Sequence, residues 1–309
     1  MHCSAGRRAA TAASLVWLGA ALNYARAAEP SPPSAFETAA TDAEPPSPSL
    51  PQTARLKDVY ASDYLIVAAG VALLPSYEGS EAHHIVPAFG IAGRVHGIGI
   101  SPRPLGFALN LLPPSGKRRI GFSLGPVVSY RGSRTVEVLD PGPVRVGSAK
   151  GYLELGIHTG VSLNHVLSRY DTISLGADVR WDASGGTGST VIAPGFNYLT
   201  PISRAQVFGL SASASIINQN YATRTYSAHP IGPAMGNPTS GNPDDGLRSI
   251  GVRAFTAYDL DGNLRNGGLS VVFGIGYSRL LGAAAQSPLV KNNGTHDQIL
   301  FATGLAYVF

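Results

Sequence analysis

From Tyr64 onward the chain alternates between apolar side chains and small or polar ones. In "RRIGFSLGPVVSY", Ile120, Phe122, Leu124, Val128 and Tyr130 share one parity, and Gly121, Ser123, Gly125 and Ser129 the other. In "GYLELGIHTGVSL", Leu153, Leu155, Ile157, Val161 and Leu163 oppose Glu154, Gly156, His158 and Ser162. In "DTISLGADVRWD", Ile173, Leu175, Ala177, Val179 and Trp181 oppose Ser174, Gly176, Asp178 and Arg180. "SIGVRAFTAYD" repeats the pattern, with Ile250, Val252, Ala254 and Tyr258 opposite Arg253 and Asp259. A helix would scatter these sets around its axis, whereas a strand places each on one surface.

The polar parity decides the class of sheet. It is mostly Gly, Ser and Ala with occasional charges, while the apolar parity is nearly charge-free. A soluble sandwich turns a Lys-, Glu- and Thr-rich face to bulk water. Here the small-residue face suits a narrow, wet interior and the oily one suits lipid. A sheet in hydrocarbon must close on itself, because each unpaired edge amide there costs several kcal/mol. The expected fold is therefore all-β: a closed antiparallel transmembrane β-barrel.

Twelve segments alternate this way, near 64–74, 84–95, 97–101, 105–112, 119–131, 151–164, 171–182, 189–199, 204–216, 248–259, 267–281 and 297–309. Ten strands is the alternative, should the third and fourth, split by "PRPLG", fold inward or form one interrupted unit. Connections on one rim are tight: "VHG", "PPSGKRR", "NHVLSRY", "LTPIS" and "LDGNLRN". Two on the other rim, Gly132–Lys150 and Ile217–Leu247, are long. Short turns opposite long loops are the pattern of an outer-membrane barrel with both ends on the periplasmic side. The chain ends on "FATGLAYVF", where Phe301, Leu305, Tyr307 and Phe309 share the oily parity of a closing strand.

The segments before the barrel read differently. Residues 1–27 have Arg7 and Arg8, a short apolar run to Leu22 and then Ala25-Arg26-Ala27, the order of a secretory signal peptide. Residues 28–55 are rich in proline and read as a disordered, extended periplasmic linker; within them, 29–53 hold no Lys or Arg. The barrel is assigned 56–309 of the 309 residues. Three of the 23 basic residues lie in the signal, leaving twenty against 19 acidic ones, so no pull toward nucleic acid is expected. Cys3, the sole cysteine, also lies in the signal and leaves the mature chain without disulfides.

Charges on the inner parity are the first candidate feature: Arg94, Glu154, Asp178, Arg180 and Arg253. They either line a small-solute channel or pair across a narrow lumen, and pairing is the favoured reading because ionisable groups inside membrane proteins pair with one another. A second feature is the basic turn Lys117, Arg118 and Arg119, which either stops the chain at the membrane rim or docks a partner. Barrel-borne hydrolases place a His and a Ser on neighbouring strands. His158 lies on the inner parity, but serines are so abundant that no pairing stands out, and no Gly-x-Ser-x-Gly occurs. The expectation is a protein that is not an enzyme. The histidines lack metal-ligand spacing, and no glycine-rich phosphate loop opens a helix, so no cofactor is expected.

The C-terminal stretch "GYSRLLGAAAQSPLVKNNGTHDQILFATGLAYVF" resembles the signature of the MltA-interacting protein (MipA/OmpV) family. The matching residues are Tyr277, Ser278, Arg279, Leu280, Ser287, Pro288, Leu289, Val290, Gly294, Gln298, Tyr307 and Phe309. Upstream, Pro75, Tyr77, Gly79, Ser80 and Pro87 are similar to the family's Pro-x-Tyr-x-Gly-Ser block, and Gly125, Pro126, Tyr130, Gly132 and Arg134 to its Gly-Pro strand. The family's Tyr-Phe-Gly-Val stretch is here "ATRTYSAHP". The resemblance implies an outer-membrane scaffold tethering a lytic transglycosylase and a penicillin-binding protein during murein growth. Its partners would include outer-membrane lipid, lipopolysaccharide and the barrel-insertion machinery that reads a terminal aromatic. A small-solute channel or a surface adhesin is the competing class.

Overall fold

The computed structural model describes residues 58–113, 118–131, 144–146, 151–168, 170–186, 188–226, 228–230, 243–287, 290–291 and 294–309. The signal peptide, nearly all of the linker, Lys117, Pro288, Leu289 and much of both long loops lie outside these residues. Among the described residues no helix is long and apolar enough to cross a membrane.

The strands are β1 (Tyr64–Pro75), β2 (His83–Val95), β3 (Ile98–Arg103), β4 (Gly106–Asn110), β5 (Ile120–Arg131), β6 (Val144–Val146) and β7 (Tyr152–Asn164). They continue with β8 (Thr172–Asp182), β9 (Thr190–Pro201), β10 (Gln206–Ile217), β11 (Ala228–Pro230), β12 (Gly246–Asp259), β13 (Gly268–Leu280) and β14 (Asp297–Val308). Twelve of them close a barrel in the order β1-β14-β13-β12-β10-β9-β8-β7-β5-β4-β3-β2, every paired neighbour antiparallel. The twelve-strand expectation holds. The third and fourth segments are separate strands, six and five residues long, joined by a hairpin whose tip is Pro104-Leu105. Both are short, and β2 meets β3 only through Gly93–Val95 and Ile98–Ile100.

Closure is made by the last strand against the first, from Ile66 opposite Val308 to Leu73 opposite Phe301. Phe301, Leu305 and Tyr307 are 48, 50 and 45% exposed, whereas Ala302 and Ala306 are 9 and 1% exposed. The oily parity therefore faces outward all round the ring, with Phe89, Phe122, Leu175 and Phe273 on other strands likewise exposed. No water-facing sheet gains from such a surface; a lipid-facing one does.

The interior is not uniformly wet. Near β1, β2, β12, β13 and β14 it is a dry core of small and branched side chains, including Ile66, Ala68, Val86, Ala88, Val272 and Ala306. A 3-10 turn at Val59–Ala61 and another at Leu264–Asn266 add Tyr60 and Leu264 to this core at the short-turn rim. Paired charges of the interior lie on β3, β5, β7 and β8.

The long-loop rim also differs from a set of free surface loops. After β10 the chain forms a helix, α1 (Gln219–Tyr226), whose Tyr221, Ala222 and Tyr226 are buried. A second short helix, α2 (Gly282–Gln286), follows β13, and the two share an apolar cluster with Val191, Ile217, Leu280 and Val290. Beyond the barrel, β6 and β11 pair through backbone registers that join the two long loops.

Candidate functional site

Strand register builds the polar interior. Gly125 on β5, His158 on β7 and Asp178 on β8 lie in one row across the sheet. Ser123, Gly160 and Gly176 form the next inward-facing row, nearer the short-turn rim. His158 Nδ1 lies 2.7 Å from Asp178 Oδ1, and its Nε2 lies 3.1 Å from Ser123 Oγ. Arg103, at the end of β3, reaches across the lumen to the same carboxylate, with Nε 2.6 Å from Oδ2 and Nη2 3.2 Å from Oδ1. A cavity of about 90 Å³ continues from these residues toward the short-turn rim, past Thr172, Ser174, Asn197, Ser211 and Phe255.

A second cluster sits toward the long-loop mouth. Glu154 is buried between two arginines: Arg131 donates from Nε and Nη2 to Oε1 at 3.2 and 3.1 Å, and Arg180 Nε stands 3.1 Å from Oε2. The second contact is an ion pair whose angle falls short of a hydrogen bond. Arg180 Nη1 lies 3.9 Å from Asp178 Oδ2 and so links the two clusters. Buried charges are tolerated here because each faces an opposite charge.

Helix α1 covers this cluster. Arg248 donates to Tyr221 Oη at 2.9 Å and pairs with Glu78 at 3.4 Å, and Tyr226 donates to Glu78 at 2.9 Å. Arg224 pairs with Asp182 at 3.1 Å and stacks 4.1 Å above the Tyr152 ring, while Arg131 lies 5.2 Å from the Tyr221 ring. Burial, and next to it the Glu78 carboxylate, push the Tyr226 phenol well above its usual range.

Of the interior charges read from the sequence, Glu154, Asp178 and Arg180 are thus brought together. Arg94 lies apart, its guanidinium 5.6 Å from the Tyr64 ring, and Arg253 donates to Ser213 Oγ at 3.2 Å. Sequence reading left out Arg103, Arg131, Arg248 and Glu78. The first two end strands, where parity is hardest to assign, and Glu78 stands in a turn. Arg118 and Arg119 are exposed at the short-turn rim, their carbonyls accepting from Asn164 at 3.0 and 2.8 Å.

The two blocks richest in motif residues meet across the closing seam. Gly79 N–H donates to Gln298 Oε1 at 3.1 Å, Thr295 N–H donates to the Gly79 carbonyl at 2.8 Å, and Ser80 bridges to Gly294. Ser287 and Val290 are buried beside them. Pro126 lies on β5 opposite Ile157, and Pro75 ends β1 opposite His83.

A closed ring of twelve strands, oily outside and charge-paired within, defines a transmembrane β-barrel. A family model described as "MltA-interacting protein MipA" matches residues 67–309. The chain belongs to that family and is an outer-membrane barrel of its type. No curated protein sequence matches the chain. Among solved structures, Pseudomonas aeruginosa OccK11 (OpdR) is 10% identical over 80% of this chain and 95% of that one, with a TM-score of 0.28. OccK7 (OpdD) of the same organism is 10% identical over 80 and 98%, at 0.26. Its outer membrane protein OprD is 8% identical over 82 and 95%, at 0.20. The fold itself is fixed by the closed strand pairing.

Proposed function

We propose that the barrel is an outer-membrane anchor that holds a lytic transglycosylase, and with it a murein synthase such as a penicillin-binding protein, beside the growing sacculus. The carrying observation is the family match across 67–309, whose description names interaction with MltA. In this reading the short-turn rim and both barrel ends face the periplasm, and the outer surface meets lipid and lipopolysaccharide. The outward-facing aromatic parity of the closing strand, Phe301 and Tyr307 included, is what the insertion machinery would read. Tethering requires no reaction in the barrel and no nucleic acid.

Two features support a tether over the channel alternative. Helix α1 lies over the Glu154 cluster at the long-loop rim, and charged groups pair across the lumen. Docking falls to the exposed Arg118 and Arg119, with Lys117 beside them in the sequence. The test is titration of purified MltA-type transglycosylase onto the barrel in lipid nanodiscs. Saturable binding is expected, weakened at least tenfold by K117A/R118A/R119A and unaffected by shortening loop 132–150. Absence of binding to the unaltered barrel refutes the reading.

A further inference from the structure

Ser123, His158 and Asp178 stand in a nucleophile–base–orienter relation that tethering does not use. His158 Nδ1 faces both Asp178 Oδ1 at 2.7 Å and Arg103 Nη2 at 3.1 Å. The shorter contact is to the carboxylate, which also takes the Nη2 hydrogen bond at 3.2 Å. A ring lone pair facing a carboxylate is repulsive, so the ring proton is assigned to Nδ1. Nε2 is then the acceptor, and at 3.1 Å it takes its hydrogen bond from Ser123 Oγ–H. This is the tautomer and polarity that activate a serine hydroxyl.

The local sheet is shaped for the contact. Ser123 is diagonal to His158, and a glycine leaves the space beside the hydroxyl free: a Cβ at Gly160 would stand 2.8 Å from Ser123 Oγ. Both Ser123 and His158 line the cavity that runs toward the short-turn rim, so the hydroxyl is reachable from that side although α1 covers the other mouth.

We propose that this triad hydrolyses short-chain carboxylic esters inside the barrel. Ser123 Oγ attacks the ester carbonyl carbon as its proton passes to His158 Nε2. Asp178 holds the Nδ1–H and balances the imidazolium charge. The Asn197 amide, which lines the same cavity, supplies a donor for the developing oxyanion, since Arg103 is committed to Asp178 and to the Pro102 carbonyl. Collapse breaks the carbonyl–alkoxy bond, and the alcohol leaves with the proton from Nε2. Water then repeats the sequence on the acyl-serine, releasing the carboxylic acid and restoring the Ser123 hydroxyl. A cavity of about 90 Å³ admits several waters, hence a short acyl group and not a fatty chain.

The test uses the full-length folded barrel in detergent micelles, with p-nitrophenyl acetate as substrate and a small alkyl fluorophosphonate as covalent probe. The expected result is one phosphonyl adduct on Ser123, located by peptide mass spectrometry and absent from heat-denatured protein. Hydrolysis should fall about 10³-fold in Ser123→Ala and by a comparable factor in Asp178→Asn. The adduct is read on the unaltered protein, so it decides even if a variant misfolds. No adduct on Ser123, or hydrolysis undiminished in Ser123→Ala, overturns the proposal.

Discussion

The backbone N–H of Gly79 and the side-chain carbonyl of Gln298, 219 residues apart in sequence, meet at 3.1 Å across the seam between the first and last strands. Gly79 has φ +97°, a region that L side chains rarely adopt, and a Cβ there would collide with Val290 Cγ2. Gly79→Ala should therefore destabilise the barrel by about 2 kcal/mol or more, from backbone strain plus the clash. Gln298→Ala, which leaves the buried N–H unpaired, should cost about 1–3 kcal/mol. Urea unfolding in detergent, read by heat-modifiable gel mobility, checks both.

Glu154 carries the next expectation. It is the buried anion between Arg131 and Arg180, and Glu154→Gln leaves those two cations facing one another. The loss should be about 3–5 kcal/mol by the same unfolding assay. Adding Arg180→Leu to that variant removes one of the stranded cations and should restore part of the loss. A double variant worse than the single one contradicts the pairing.

Much of this was legible in the primary structure, and the limits are physical. Period two is local, so the strands, the oily outer face and the closing strand through Phe309 could all be read from alternation. The strand count followed even through β3 and β4, whose short runs left ten strands open. What alternation cannot convey is which inner-facing residues meet across the lumen. Arg103 touches Asp178 with β4, β5 and β7 intervening in the sheet, a contact set by ring closure and not by spacing. Ser123 and His158 were each visible on the inner parity, but their pairing depends on register between β5 and β7. Tyr221 and Tyr226 were hidden for a different reason. A long loop reads as surface by default, and only the structure brings α1 inward over the Glu154 cluster.

That inward turn makes a prediction about conductance. With α1 seated on the Glu154 cluster through Tyr221, Arg131 and Arg248, the lumen is covered at the long-loop rim. The unaltered barrel in a planar bilayer should show no steps above leak. Replacing residues 219–226 by a Gly/Ser linker of equal length should produce resolvable single-channel steps. Steps of equal size in both proteins would mean that α1 is no plug.

Tyr226 gives the fold an alkaline sensitivity. Its phenol is raised well above the usual value by burial first and by the neighbouring Glu78 carboxylate second. An unfolded tyrosine ionises near pH 10, so below that value both states keep the proton and the full contribution of Tyr226 is present. Above pH 10 the unfolded chain releases a proton that the folded one retains, and stability falls as pH rises further. Tyr226→Phe removes this linkage. At pH 7 it should cost about 1 kcal/mol for the lost hydrogen bond to Glu78, which keeps its pairing with Arg248. Between pH 9.5 and 11.5 (about the window set by the unfolded value) its unfolding midpoint should drop less than that of the unaltered protein. Equal drops in the two proteins would show that the phenol is not held protonated by the fold, and that α1 is less firmly buried than its contacts require.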